Sequence, residues 1–325
     1  MTGIFRQKNS TNVIWLLLYA LVLKMPIFIH PEAPLRLSSD HFLYNMMVDA
    51  MVRWGTPLWV YSTFSFLVMY LQASFINRIS NIQKVFPKAN YLPAMAFLLI
   101  TSFFKEWNLF SSVMLVNALL IWIFYRLLLL YNNPHARGLI FNLGIHMGLI
   151  SLLQERAALL IILLLSALAV MRAFRLREWI LAILGWFTPY YFLAFYFFMT
   201  DQWKLSSFFP DMRLALPILP HDGLSLASIL FVTLPFLIGA YYIQENMNKM
   251  LIQVRKNWSL LLIFGIIGFV IALATQGPVH QIWLMSAVPL AMFHAAAYYY
   301  PSSRQFARFL HWICFGFAIY LNYIV

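Results

Sequence analysis

The stretch LSSDHFLYNMMVDAMVRWG, residues 37–55, begins a few residues after the apolar run TNVIWLLLYALVLKMPIFI, residues 11–29. Together they decide the class of fold. In the first, Leu43, Met46, Met47, Ala50, Met51 and Trp54 recur at the i, i+3, i+4, i+7, i+8, i+11 spacing of one helix face. His41, Asn45, Asp49 and Arg53 take the opposite side, with Asp40 at the start. An apolar crossing followed directly by a two-faced helix reads as a span that ends in an interfacial helix, over about residues 39–54.

Working outward, the same apolar character recurs along the whole chain. Of 325 residues, 63% are hydrophobic, 18% aromatic and only 10% charged. That composition predicts an all-α, polytopic integral membrane protein forming a single transmembrane domain, residues 1–325. The first run is not patterned as a cleaved signal peptide, since it contains Lys24 and Pro26 and lacks a small-residue cleavage site. Eleven crossings are expected, at about 13–29, 57–76, 91–104, 109–125, 138–153, 157–171, 179–198, 224–243, 258–275, 281–300 and 309–324. Three of them, 91–104, 138–153 and 157–171, are shorter than the roughly 20 residues of a straight span. Fusing 91–125 and 138–171 would give two helices of about 50 Å each, too long even with tilt. The reading therefore keeps short helices that meet in a recess below the outer surface.

The formal charge of +12 would point to nucleic acid in a soluble chain. Here its distribution matters more than its size. With the N-terminus inside, the inner loops hold fifteen basic residues against two acids, Glu178 and Glu245, while the outer loops hold six against eight. This is the positive-inside pattern, which implies a cytoplasmic N-terminus, an outer C-terminus and no nucleic-acid partner. The single cysteine, Cys314, falls in the last crossing, so redox compartment is not legible.

Acids collect on the outer side: Glu32, Asp40 and Asp49, then Glu106 in KEWN, Glu155 in QER, and Asp201, Asp211 and Asp222. Charges at the mouths of short helices suit an outward-facing polar recess. Lys24, Lys105 and Arg156 then serve as counter-charges for an anionic lipid headgroup. Plainer readings stand beside this one. Lys105, Glu106, Glu155 and Arg156 are also what solvated loop tips look like, Lys24 can snorkel outward, and Asp40 can cap the helix that follows it. His146, His294 and His311 share no metal or haem spacing and read as packing residues. Neither GxxxxGK[ST] nor GxGxxG occurs, so no nucleotide, haem or flavin is expected, and no chain of intramembrane carboxylates suggests proton coupling.

Asp40-His41-x-x-Tyr44, followed by Ala50, Met51, Gly55 and Pro57-Leu58-Trp59, resembles the first outer loop of GT-C type glycosyltransferases. The resemblance covers some twenty residues and the general topology. It implies a GT-C-like arrangement whose donor is a polyprenyl-phosphate-linked sugar, with Asp40 tied to catalysis and Asp49 the alternative base. A carboxylate there takes the acceptor proton, while Arg36, Arg53, Lys105, Arg156 or Lys24 holds the phosphate. His41 stands where the superfamily commonly has a second acid, which leaves use of a divalent metal open. The stretches GIFRQKNSTNVIWLLLYALVLKMPIF and REWILAILGWFTPYYFLAFYFF resemble a family of multipass inner-membrane proteins of Bacteroidota known as a domain of unknown function, which implies location and no activity.

The resulting expectation is a bacterial inner-membrane, cell-envelope glycosyltransferase acting at the outer face. Two alternatives accompany it: a non-catalytic membrane subunit binding lipid or partner proteins, and a transporter of lipid-linked glycans.

Overall fold

The structure, a computed structural model, describes residues 2–9, 11–201, 203, 222–273 and 279–324. Asp211 and the end of the expected crossing 258–275 lie outside the described residues. Helices follow one another as α1 (Thr2–Phe5), α2 (Asn12–Lys24), α3 (Pro26–Ile29), α4 (Phe42–Arg53), α5 (Leu58–Ile82), α6 (Leu92–Ile100), α7 (Ser112–Leu128) and α8 (Arg137–Ser151). They continue as α9 (Ile161–Met171), α10 (Leu176–Met199), α11 (Gly223–Asn246), α12 (Ile252–Leu273), α13 (Val279–Ile282), α14 (Ala287–Tyr299) and α15 (Arg304–Tyr323). Among the described residues, four helical stretches are long and apolar enough to cross a membrane: Leu58–Ile82, Leu176–Met199, Gly223–Lys249 and Ile252–Leu273. Among the described residues there is no strand, only an isolated antiparallel bridge between Asp40 and Gln154.

Local chemistry explains where several elements stop. The expected crossing 13–29 breaks at Pro26, which has no N–H to continue the ladder and instead opens α3. The expected 57–76 runs on to Ile82, which places Arg78 on a helix. The expected 281–300 is composite, with a 3-10 turn, Trp283–Ser286, between α13 and α14. Gly55, at φ +66°, turns the chain from α4 into α5.

The centre of the bundle is α6, nine residues (about 14 Å) long and buried along its whole length. LPAMAFLLI is apolar all round, the pattern of a helix with no solvent face. Its C-terminal carbonyls are satisfied by side chains: the Thr101 hydroxyl donates to Phe97 O at 2.9 Å and Ser102 to Leu98 O at 2.8 Å. By contrast α10 and α11 leave Ile180, Phe187, Phe195, Leu230 and Leu237 exposed. Apolar side chains in such number on a helix exterior suit a lipid environment.

The most extensive helix–helix contact among the described residues is between α8 and α10. A methyl added to Gly144 would run into the Ala182 carbonyl, and one added to Gly148 into the Trp186 carbonyl; Gly185 faces the Phe141 carbonyl in the same way. Gly144-x-x-x-Gly148 is the small-residue spacing that lets two helix backbones touch.

Loop contacts sort into two ends. At one, Arg6 donates to Tyr299 O, Gln253 to Gln83, and Arg172 to Asn133 O, while Lys256 lies over the Tyr131 ring. At the other, Leu35 N–H donates to Phe110 O, Glu155 N–H to Ser39 O, Asn322 to Ser102 O and Tyr323 to Val22 O. In the first set every residue but Tyr299 falls in a loop expected inside; in the second, Leu35, Ser39 and Glu155 fall in loops expected outside, while Phe110, Ser102, Asn322, Tyr323 and Val22 fall within expected crossings.

The amphipathic helix expected over about 39–54 is present as α4, but it is seated differently from expectation. The residues it buries are Tyr44 and Val48, with Met47 and Met51 packed beside them. Met46 and Trp54, from the predicted apolar stripe, are 50% and 82% exposed. The stripe is therefore shared: one edge packs on protein and the other is left uncovered. Loop closure through Tyr44 causes this rotation, because its hydroxyl reaches Leu35 O at 2.8 Å and Phe110 O at 3.3 Å.

Candidate functional site

Three chain turns converge at the second end of the bundle. One is the extended segment before α4, one the turn from α6 to α7, and one the turn from α8 into the 3-10 helix Glu155–Leu160. Backbone bonds join them: His41 N–H to Leu153 O at 3.1 Å, Leu43 N–H to Leu152 O at 3.0 Å, Glu155 N–H to Ser39 O at 3.0 Å and Leu35 N–H to Phe110 O at 2.8 Å. Gln154, fully buried, adds a bond from its amide to the Ser39 hydroxyl at 2.8 Å and accepts from Ala157 N–H at 3.1 Å.

Asp40 sits at this junction. Its Oδ2 accepts from Leu37 N–H at 2.7 Å, and its Oδ1 from the hydroxyl of Ser112, the buried first residue of α7. The cap of α4 is His41, without a side-chain cap bond. Asp40 is thus not the N-cap of α4; its carboxylate points across to the start of α7. Two donors, and Arg36 nearby, favour the anion, as does the N-terminal end of a helix. Burial outweighs them and raises the carboxyl from 3.8 to about 6. A carboxylate titrating there is mostly ionised at neutral pH yet basic enough to accept a proton.

The other expected residues distribute around it. Arg36 forms an exposed ion pair with Asp49 at 2.7 Å, and Arg53 Nε donates to the Asp49 carbonyl at 3.3 Å. As an alternative base, Asp49 is therefore already matched by a cation. Lys105 and Glu106 open the 3-10 turn Lys105–Asn108, the lysine exposed and the glutamate half-buried. Glu155 and Arg156 open the next 3-10 helix and are both half-buried. Lys24 differs from the snorkelling expectation. It is 1% exposed, and its ammonium donates inward to Thr101 Oγ1 at 2.9 Å and to Asn108 Oδ1. Burial is tolerated because the two oxygens accept hydrogen bonds from its N–H groups.

Ser112, Ser39 and Gln154 were not singled out by the sequence. A Ser-Ser pair before an apolar helix signals a cap, and Ser111 does accept from Met114 N–H at 3.2 Å. Nothing local tells that its neighbour binds an acid far back in the chain. Among the described residues no three His, Cys, Asp or Glu side chains converge, so they do not form a protein-only metal site.

What fold and site define is an all-helical protein with, among the described residues, four helices long and apolar enough to span a membrane and a half-buried carboxylate at one end whose pKa is raised to about 6. Compared with protein-family models, curated proteins and solved structures, the chain matched none.

Proposed function

We propose that the chain is a GT-C-like glycosyltransferase of a bacterial cytoplasmic membrane, transferring a sugar from a polyprenyl-phosphate-linked donor at the outer face, with Asp40 as general base. Eleven crossings, the N-terminus inside and the C-terminus outside, belong to this reading. The pairing of expected inner loops with one another (Gln83 with Gln253, Asn133 with Arg172) and of expected outer ones (Ser39 with Glu155) supports the alternation, and the basic bias supports the orientation.

The observation that carries the activity is Asp40 itself, fixed on both oxygens at the junction of three turns and titrating at about 6. In the transfer, the acceptor hydroxyl oxygen bonds to the anomeric carbon as the carbon–oxygen bond to phosphate breaks. The hydroxyl proton passes to Asp40, and the polyprenyl phosphate leaves with the electron pair. Arg36, released from Asp49, together with Lys105 and Arg156, offsets charge on the leaving phosphate.

A second reading, a non-catalytic membrane subunit, is favoured by the same bonds seen as scaffolding, since Asp40 also bridges to Gln154 through its backbone. Complementation separates the two. A deletion strain carrying wild type or Asp40→Asn, at matched membrane levels, is scored for envelope glycans by mass spectrometry. Restoration by wild type alone supports catalysis; equal restoration by both removes Asp40 as the base. A transporter would instead move lipid-linked glycan across vesicles chemically unchanged.

A further inference from the structure

At the end of the bundle opposite Asp40, a cavity of about 580 Å³ opens between the N-terminal segment, α2, α5 and the chain leading to α6. Its features are independent of the outer site. Lys8 and Arg78 line it, no acid does, and neither cation is in an ion pair among the described residues. Two uncompensated cations around one opening favour an anion.

Asn77 supplies a second and separate observation. It lines the cavity, is 5% exposed, and its carboxamide oxygen has no donor among the described residues. A buried acceptor left without a donor is costly, so a partner is expected there. Its neighbour one turn on, Asn81, shows the contrast: its oxygen accepts from Asn90 N–H and its amide donates to Asn90 O, both at 3.1 Å. The Asn81 carboxamide is satisfied within the fold, whereas the Asn77 oxygen has no donor among the described residues.

The remaining wall is apolar. Val13, Leu16 and Ile82 line the same cavity, and Val13 and Ile82 are exposed at the bundle surface. The opening therefore leads sideways onto an apolar exterior as well as towards the basic end.

We infer that this cavity binds the phosphate headgroup of an anionic glycerophospholipid of the inner leaflet. Lys8 and Arg78 hold the phosphodiester, a headgroup hydroxyl donates to Asn77, and an acyl chain leaves along Val13 and Ile82. Basic groups near the cytoplasmic surface are the general means by which membrane proteins hold such lipids.

The test uses the purified full-length chain in neutral detergent, with retained lipid read by native mass spectrometry. The probes are dioleoylphosphatidylglycerol, dioleoylphosphatidylcholine and inorganic phosphate. Phosphatidylglycerol is expected to remain bound and phosphatidylcholine to be lost. Lys8→Gln and Arg78→Gln each lower phosphatidylglycerol occupancy by roughly fivefold, the factor that one basic residue supplies near a membrane surface. Asn77→Leu lowers it as well, by removing the acceptor for the headgroup hydroxyl.

Occupancy unchanged in the Lys8→Gln/Arg78→Gln double variant overturns the proposal. Displacement of the lipid by an equal concentration of inorganic phosphate assigns the cavity to the free anion and overturns the lipid. Wild type gives a check that needs no variant: raising ionic strength must weaken phosphatidylglycerol retention, and indifference to salt refutes the assignment.

Discussion

Ser112 and Asp40, seventy-two residues apart in sequence, meet through a hydrogen bond from the serine hydroxyl to the carboxylate. The bond ties the first residue of α7 to the segment that precedes α4. It also opposes burial, which drives the Asp40 carboxyl upward, by favouring the anion.

Ser112→Ala is therefore expected to raise the Asp40 pKa further, by about one unit, the size of one hydrogen bond to a charged group. An apolar fluorescent carbodiimide, which reacts with protonated carboxyls, reads this directly. Labelling of Asp40 in the wild type should fall away as pH rises through about 6. The Ser112→Ala midpoint should lie higher, and Asp40→Asn should lose that labelled site. A midpoint unmoved by Ser112→Ala would mean the hydroxyl does not contribute.

The same shift gives a signed pH dependence of stability. The folded chain holds the Asp40 proton more tightly than the unfolded chain, with pKa values of about 6 and 3.8. That contribution is fully present below about pH 4 and is lost as pH rises through about 6. Relative to Asp40→Asn, wild type should lose on the order of 1–2 kcal/mol across that window once solvent screening is allowed for. Thermal unfolding in detergent at both ends of the window measures the difference. A base acting in transfer requires the opposite limb, with activity rising through about pH 6.

Two glycines of α8 offer an internal comparison. Gly148→Ala forces a methyl against the Trp186 carbonyl and the Pro189 ring, whereas at Gly138 nothing lies within 4 Å. Overpacking of this kind costs about 1–3 kcal/mol, so Gly148→Ala should lower the unfolding temperature. Gly138→Ala should be neutral or slightly stabilising, because alanine is the better helix former. Equal effects at both positions would show that α8 and α10 do not touch through this face.

Lys24 gives a test of packing against ligand binding. Lys24→Ala leaves the Asn108 oxygen without its ammonium donor and opens space beside α6, a loss of about 2–5 kcal/mol. Lys24→Met refills the space and should recover part of that loss. If the lysine gripped a lipid phosphate instead, Lys24→Met would fold like wild type and lose activity alone.

Much of this protein was legible before any fold was known. The helical class, the amphipathic stretch 39–54 and the basic bias of alternate loops follow from residue spacing and transfer free energy, which are local properties. The Gly144-x-x-x-Gly148 spacing takes its meaning only from the close contact with α10. Tertiary structure alone decided which arc of α4 is covered. The arc holding Tyr44 and Val48 turns inward because the Tyr44 hydroxyl closes two distant loops. It also decided that Lys24 points inward to Thr101 and Asn108 and that Asp40 faces Ser112 in place of capping its own helix. These outcomes depend on contacts between residues far apart in the chain and on burial, which sets both the cost of a charge and the pKa of an acid.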